Sequence, residues 1–242
     1  MSVRVSIAFC LFVLTRVLCA LLCVCVCAVG GRCCSRKVGR AQLAVAGLVV
    51  LSYPALEVVY SELRWVRLTA PYVPSFLAFR EAAPLLDLLA RLRARAPDLW
   101  PQALLVDGNG VLHARGCGLA CHIGVEAGVP TVGVGKNLSY VDGLTRERVA
   151  AAAAAAAAGT GSAAVAGVSA VRLIGDSGRE WGAALLTTDG ATKPVFVSVG
   201  HRVSLGTALA LVKAVSVYRV PEPVRQADLM SRAFVRESVP DV

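Results

Sequence analysis

The chain has 242 residues, of which 56% are hydrophobic and 17% charged, a composition that excludes a disordered tail and a collagen-like fibre. Its net charge is +9, but the first 56 residues contain no acidic residue and supply two thirds of that charge. The pI of 9.4 therefore describes the amino terminus more than the rest of the chain, and net charge alone does not indicate a nucleic-acid-binding protein.

The first feature along the chain is an apolar segment, residues 5–29, in which Arg16 is the only charged residue. It is long enough to cross a bilayer of about 30 Å, so a signal anchor or transmembrane helix is one interpretation. Arg16 opposes this interpretation, because a charge at the centre of such a helix costs about 2.5–3.5 kcal/mol. A third possibility is that the segment is not native to the domain that follows it.

Cysteine usage also separates this segment from the rest. Seven of the nine cysteines lie within residues 1–40, five of them in the apolar segment, and only Cys117 and Cys121 lie beyond residue 40. The segment lacks the loop-forming residues and histidines of a zinc site, and the remainder resembles a reduced, intracellular protein. We therefore divide the chain into an atypical N-terminal segment, residues 1–40, and one domain, residues 41–242.

From residue 41 onwards, apolar runs and helical periodicities alternate. The sequence predicts strands at 41–51, 56–60, 103–106, 130–134, 171–174, 181–187 and 194–199, and helices at 76–95, 118–127, 204–217 and 223–236. Pro84 is expected to kink or restart the first helix. The alanine-rich stretch 147–167 is compatible with a helix and carries no catalytic group. This order predicts an α/β domain with a mixed sheet.

Two carboxylates are candidate functional groups. Asp107 ends a buried apolar run and precedes Gly-Asn-Gly, the position where open α/β sheets place their sites, although a turn-forming aspartate fits equally well. Glu81 lies near a helix start, where a solvated acid is also favoured by the helix dipole. Converging carboxylates would bind Mg²⁺ and support phosphodiester hydrolysis. Asp176 and Asp228 are interpreted as a turn residue and a helix-surface residue.

All three histidines lie near glycines or turns: His113, His122 and His201. A single histidine in such a place is more often structural, but three together favour function. Pro71-Tyr72-Val73-Pro74 is a stiff loop with one aromatic side chain, which could either pack or wedge into a base stack.

Several motifs in order resemble endonuclease V of the animal type. They are Leu48-Val-Val-Leu-Ser-Tyr-Pro54, Thr69-Ala-Pro-Tyr-Val-Pro-Ser-Phe-Leu-Ala-Phe-Arg-Glu81, Leu104-Leu-Val-Asp-Gly-Asn-Gly-Val-Leu-His113, Gly133-Val-Gly-Lys136, Gly175-Asp-Ser-Gly178, Ser198-Val-Gly-His-Arg-Val-Ser-Leu205 and Arg219-Val-Pro-Glu-Pro-Val-Arg-Gln-Ala-Asp228. The resemblance spans residues 41–237.

The resemblance implies a ribonuclease H-like fold and Mg²⁺-dependent cleavage one nucleotide beyond the 3′ side of inosine. The expected substrate is single-stranded RNA containing inosine, with deoxyinosine in DNA as the ancestral one. It further implies a monomer in the cytoplasm and in the nucleus or nucleolus. Membrane attachment would be possible only through residues 5–29.

The resemblance also implies roles for individual residues. Asp107 and Glu81 would bind the metal, and His113, Lys136 and His201 would position the phosphate and the attacking water. Tyr72, between Pro71 and Pro74, would be the wedge. The loop from Gly108 to Gly110 would help to enclose the flipped hypoxanthine, and His122 is a further candidate for nucleic-acid contact.

One departure from the family pattern bears on activity. The family opens with a strand of the form Gly-Val-Asp-Val-Ser-Phe, whose aspartate is a central metal ligand and belongs shortly before Ala41. Here residues 33–40 contain no acid. We expect the first core strand to be replaced, neighbouring backbone groups to lack partners, and catalysis to be impaired. The alternative function is an inactive protein that binds inosine-containing RNA.

Overall fold

The computed structural model describes residues 19–27, 37–38, 41–71, 73, 75–158, 165, 168–189 and 191–238. The strands are β1 Cys19–Cys27, β2 Lys37–Val38, β3 Ala41–Tyr53, β4 Val58–Leu68, β5 Ala103–Asp107, β6 Thr131–Gly135, β7 Ala170–Ile174, β8 Glu180–Leu185 and β9 Val195–His201. The α-helices are α1 Leu77–Arg95, α2 Leu119–Ala127, α3 Arg146–Ala157, α4 Leu205–Ala214 and α5 Glu222–Glu237, and Pro97–Leu99 forms a 3₁₀ turn.

These strands form one mixed sheet in the order β4-β3-β1-β5-β6-β9-β8-β7, and the short strand β2 pairs with the start of β3. β1, β5 and β6 are parallel to one another, whereas every other pair of neighbours is antiparallel. Because β5 and β6 are parallel neighbours, the loops that leave their carboxyl ends start side by side.

Alternation along the strands sends apolar side chains to both faces of the sheet. On β3, Leu48 and Val50 face one core with α1 and α2, while Val49 and Leu51 face the other with α4 and α5. Both faces are therefore covered by helices. This arrangement confirms the predicted α/β class with a mixed sheet flanked by helices.

Helix α1 follows the predicted periodicity. Its residues Leu85, Leu88, Leu89 and Leu92 recur at helical spacing, and each is at most 2% exposed. Of the two effects predicted for Pro84, a kink or a restart, the restart does not occur, because one continuous helix runs from Leu77 to Arg95 with Pro84 inside it. Helix α3 contains most of the alanine tract, and the Thr145 hydroxyl caps its start by accepting a hydrogen bond from the Arg148 backbone N–H at 3.2 Å.

The centre of the sheet differs from expectation. β1 lies between β3 and β5 and pairs with both, so the cysteine-rich segment supplies a strand at the position where we expected unpaired backbone groups. The first core strand is thus present with a different sequence. Within the described residues, no helix has the length and apolar character to span a membrane. Residues 5–18 and 28–29 of the apolar segment lie outside the described residues.

Candidate active site

The carboxyl ends of β5 and β6 bring together an acid and a base. Asp107 is the last residue of β5, and Lys136 directly follows β6. The Lys136 Nζ lies 2.8 Å from the Asp107 Oδ2, and both side chains are mostly withdrawn from solvent. Such a charge-assisted hydrogen bond is stronger than a neutral one. Lys136, which by sequence alone resembles a solvated lysine, is therefore part of a defined site.

A second carboxylate reaches Lys136 from helix α5. The Asp228 Oδ2 lies 3.6 Å from the Lys136 Nζ and 2.7 Å from the Arg232 Nη2. The sequence interpretation of Asp228 as a helix-surface residue is therefore wrong. The amphipathic pattern of α5 was the sequence signal for this placement. Its residues Ala227 and Ser231, on either side of Asp228, are buried, so Asp228 borders the helix face that packs on the sheet.

Glu81 is the buried acid of this region. It lies in the second turn of α1 and is 6% exposed, so it is not a solvated helix-start acid. Burial raises its pKa to about 7; the neighbouring charge of Arg80 lowers the pKa, and the negative charge of Asp107 raises it. Arg80 itself donates to the Ala70 carbonyl oxygen at 2.9 Å.

A pocket of about 300 Å³ opens between α1, the loop after β5 and the start of α2. Its lining includes Glu81, Asp107, Gly108, His113 and His122. The structure therefore brings five of the predicted site residues to one cavity. This is the concave, partly apolar kind of site with a few converging polar groups that binds small ligands or single nucleotides.

The two histidines of this pocket differ in their surroundings. Burial and the charge of Arg115 lower the pKa of His113; a backbone hydrogen bond with Ser75 raises it, and His122 lowers it further. The His122 ring packs edge-on against Phe79, with ring centroids 5.5 Å apart. At neutral pH, the lowered pKa favours a neutral His113, which can donate from one ring nitrogen and accept at the other.

The loop after Asp107 packs on strand β9. The Gly110 N–H donates to the buried Ser198 Oγ at 2.9 Å, and the Val111 N–H donates to the Val199 carbonyl oxygen at 2.8 Å. A Cβ at Gly110 would lie only 2.0 Å from that carbonyl oxygen. Gly108 lines the pocket, but Gly110 is required by close packing and is not among the residues that line the pocket.

His201 lies away from this cluster. It ends β9 and pairs with Thr131, the first residue of β6, whereas Asp107 pairs with Val134 near the other end of β6. At about 3.3 Å per residue, this separates the two by roughly 10 Å along the strands, with β6 between them. The expectation that His201 acts with Lys136 at the phosphate is therefore corrected, because β9 runs antiparallel to β6 and ends at the opposite edge.

The predicted wedge is Tyr72 in the Pro71–Pro74 loop. Tyr72 and Pro74 lie outside the described residues, whereas Pro71 and Val73 are exposed at the approach to α1.

Cys121 is buried and Cys117 exposed, and burial raises the pKa of the Cys121 thiol to about 11. Over the described part of the chain, no three His, Cys, Asp or Glu side chains group closely enough to hold a metal ion.

Strand β1 passes directly beside Asp107. Its Val24 pairs in parallel register with Val106, so the next residues of the two strands are Cys25 and Asp107. The register position next to the site aspartate is thus a cysteine.

Comparison with known proteins gives a consistent result. The family model described as Endonuclease V matches residues 24–229, a range that begins within β1. Human Endonuclease V is 49% identical over 211 residues, which cover 87% of this chain and 72% of the human protein.

Two crystal structures extend the comparison to three dimensions. That of human ENDOV superposes with a TM-score of 0.77 at 46% identity and covers 91% of this chain and 85% of that chain. That of Ciona intestinalis Endonuclease V in complex with a 24mer DNA containing an inosine followed by a ribo-adenosine has a TM-score of 0.78 at 34% identity and covers 91% and 87%. From these matches and from the acidic site at the ends of β5 and β6, we conclude that the chain belongs to the endonuclease V family of nucleases.

Proposed function

We propose that this chain hydrolyses a phosphodiester on the 3′ side of inosine in single-stranded RNA, with deoxyinosine in DNA as a second substrate. The proposal rests on one observation: the buried Glu81 and Asp107, whose carboxylate pairs with Lys136, line a pocket of nucleotide size. Membership of the endonuclease V family and the inosine-containing DNA of the Ciona intestinalis complex support the choice of base.

Mg²⁺ is the proposed metal. The ion typically takes one or two carboxylates and completes its shell with waters and phosphate oxygens. Glu81 and Asp107 fit this donor set, since both line the pocket and the charge of Asp107 raises the pKa of Glu81, a repulsion that a cation would relieve. When bound, the metal supplies charge stabilisation of the phosphate and an activated water.

The side chains of the chain itself orient the reacting groups. Lys136 holds the Asp107 carboxylate in place and puts a positive charge where a phosphate would approach the pocket. Asp228 fixes Lys136 from the other side, as a positioning residue. His113, on the pocket wall, is available to hydrogen-bond the phosphate, and Gly108 and His122 are available to contact the base. Tyr72 remains the proposed wedge.

We further propose that activity is impaired, because the acid that the family places beside Asp107 is missing. Residues 1–56 contain no acid, and the register position next to Asp107 is Cys25. Removal of one charged ligand weakens both metal binding and the stabilisation of charge in the transition state. The same observation favours the second candidate function, an inosine-RNA-binding protein that retains the pocket but cleaves poorly.

The deciding experiment is cleavage of an RNA oligonucleotide with a single inosine by the purified chain in the presence of Mg²⁺. We expect slow cleavage that EDTA abolishes, and none of a matched RNA with adenosine. Asp107→Asn should abolish cleavage but retain binding. Binding of inosine RNA without cleavage would assign the chain to the second function. Equal binding of inosine and adenosine RNA would contradict both.

The remaining expectations stay predictions. They are a monomeric state, a location in the cytoplasm and nucleus, and membrane attachment through residues 5–29 as the alternative. Fractionation of cells that express the full chain, followed by extraction of membranes with high salt, separates these locations.

A further inference from the structure

A second, larger cavity lies on the other side of Lys136 from the pocket. It is a groove of about 820 Å³ between helix α3, strands β7 and β8, and the segment 192–196 that leads into β9. Lys136 lines this groove, and its Nζ contacts Asp107, which lines the pocket. The Asp107–Lys136 pair therefore separates two cavities that a single strand of nucleic acid could occupy together.

One wall of the groove is made by the alanine tract. Ala150, Ala153 and Ala156 line it from successive turns of α3, and Val149 anchors the helix in a buried cluster with Leu173 and Phe196. Spacing of three residues keeps these alanines on one face of the helix. Because alanine side chains are short, this wall leaves the groove wide.

The charges along the groove all have one sign. Besides Lys136, the cationic side chains of Arg146, Lys193 and Arg219 line it, and no described lining residue is acidic. Arg219 donates to the backbone carbonyl oxygens of Lys136, Lys193 and Pro194 at 2.8, 3.1 and 2.9 Å. Carbonyl partners do not neutralise its charge, so Arg219 adds to the positive potential of the groove.

We propose that this groove binds the nucleic-acid strand that continues on the 3′ side of the cleaved bond. Arg146 and Lys193 contact its phosphates, and the alanine face of α3 lies along the sugars and bases. The inference rests on the proposed function, since it places the inosine in the pocket and the cleaved phosphate at Lys136. A basic groove with an apolar wall is the usual way to hold a single strand without reading its sequence.

The positive charges that line the groove indicate which class of ligand it binds. An apolar ligand would not require three cations beside Lys136, and a basic partner would be repelled. Phosphates carry one negative charge per nucleotide and match a row of cations, whose contribution to binding falls as salt rises.

The test is equilibrium binding of two fluorescent RNAs to the full chain in EDTA. One inosine RNA extends about ten nucleotides beyond the cleavage point, and the other ends one nucleotide beyond it. For the long RNA, Lys193→Gln and Arg146→Gln should each weaken binding several-fold and lower the slope of log K against log salt by about 0.7. Binding of the short RNA should stay unchanged. Arg67→Gln is the matched control, because it removes an exposed arginine from β4 at the opposite edge of the sheet.

A second pair of variants tests the alanine wall. Ala153→Glu places a negative charge in the groove, whereas Ala151→Glu places it on the same helix outside the groove lining. We expect only Ala153→Glu to weaken binding of the long RNA. Equal helical content by circular dichroism, at equal concentration, ensures that both variants are folded.

The outcomes separate the inference from the proposed function. Equal losses on long and short RNA, or no loss with Lys193→Gln, would overturn the groove assignment while inosine recognition stands. Failure of the wild-type chain to prefer inosine over adenosine in the short RNA would instead overturn the proposed function. A polyglutamate peptide tests whether the groove binds any acidic chain. If the peptide displaces neither RNA, the groove is supported as a nucleic-acid site. If the peptide binds the groove while long and short RNA bind with equal affinity, the proposal is overturned.

Discussion

Gly110→Ala tests the packing that holds the site loop in place. Gly110 follows Asp107 by three residues, and an added Cβ would lie 2.0 Å from the Val199 carbonyl oxygen, 2.6 Å from the Val199 carbonyl carbon and 3.0 Å from the Gly200 nitrogen. All three are main-chain atoms in strand β9. They cannot rotate away as a side chain could, so either the loop or the strand must move.

The cost of this change follows from two losses. Overpacking of this kind costs about 1–3 kcal/mol. If the loop moves outwards, the buried hydrogen bond from the Gly110 N–H to the Ser198 Oγ is also lost, at about 1 kcal/mol. We therefore expect the free energy of unfolding to fall by about 2–4 kcal/mol. Because Asp107 is in the same segment, binding of inosine RNA should weaken as well.

Gly128→Ala is the matched control. Nothing lies within 4 Å of a Cβ at Gly128, whose φ of +67° imposes only the left-handed strain of a single residue. That strain costs about 1–2 kcal/mol. The assay is urea denaturation followed by circular dichroism, with linear extrapolation for both variants. A loss for Gly110→Ala no larger than for Gly128→Ala, with RNA binding intact, would refute the reasoning.

Three further predictions follow from the site. Lys136→Met should lower cleavage of inosine RNA by roughly 10²–10³-fold, with part of the activity retained in Lys136→Arg, because the positive charge at Asp107 is lost only in the first; single-turnover rates that are equal for the two variants would contradict this role. Cys25→Asp should raise the cleavage rate by restoring an acid beside Asp107, whereas Cys25→Asn, of similar shape but uncharged, should not; no gain at any Mg²⁺ concentration would falsify the proposed position of the missing ligand. At pH 8, iodoacetamide should label Cys117 and spare Cys121, because Cys121 is buried with a pKa raised to about 11 and so stays a thiol below that pH; peptide mapping that finds both labelled at the same rate would exclude this assignment.

Much of the fold was predictable from local patterns. The run Ala103–Asp107 is apolar, short and followed by a glycine-rich turn, and it is a buried strand as predicted. The leucines of α1 repeat at helical spacing and are buried as predicted. Such features are determined by neighbours in sequence, because side-chain periodicity and turn residues act over a few positions.

The structure of the apolar segment was harder to predict, because composition does not distinguish a buried strand from a membrane helix. Cys19–Cys27 is a strand because β3 and β5 supply hydrogen-bond partners on both of its sides. Those partners are residues 45–53 and 103–106, and their contribution depends on the whole sheet. Hydropathy along the chain carries no information about such partners.

The site shows the same division between sequence and tertiary structure. Motifs in the sequence pointed to Asp107, Glu81, His113 and Lys136, which the structure brings to one region. The sequence misplaced His201, and it interpreted Asp228 as a helix-surface residue. His201 is next to glycine in a family motif, yet only the antiparallel direction of β9 decides at which edge of the sheet it lies. Asp228 approaches Lys136 only after α5 has packed on the sheet, across 92 positions of sequence. The sequence by itself determined which groups are available for chemistry, whereas strand direction and helix packing decided which of them meet.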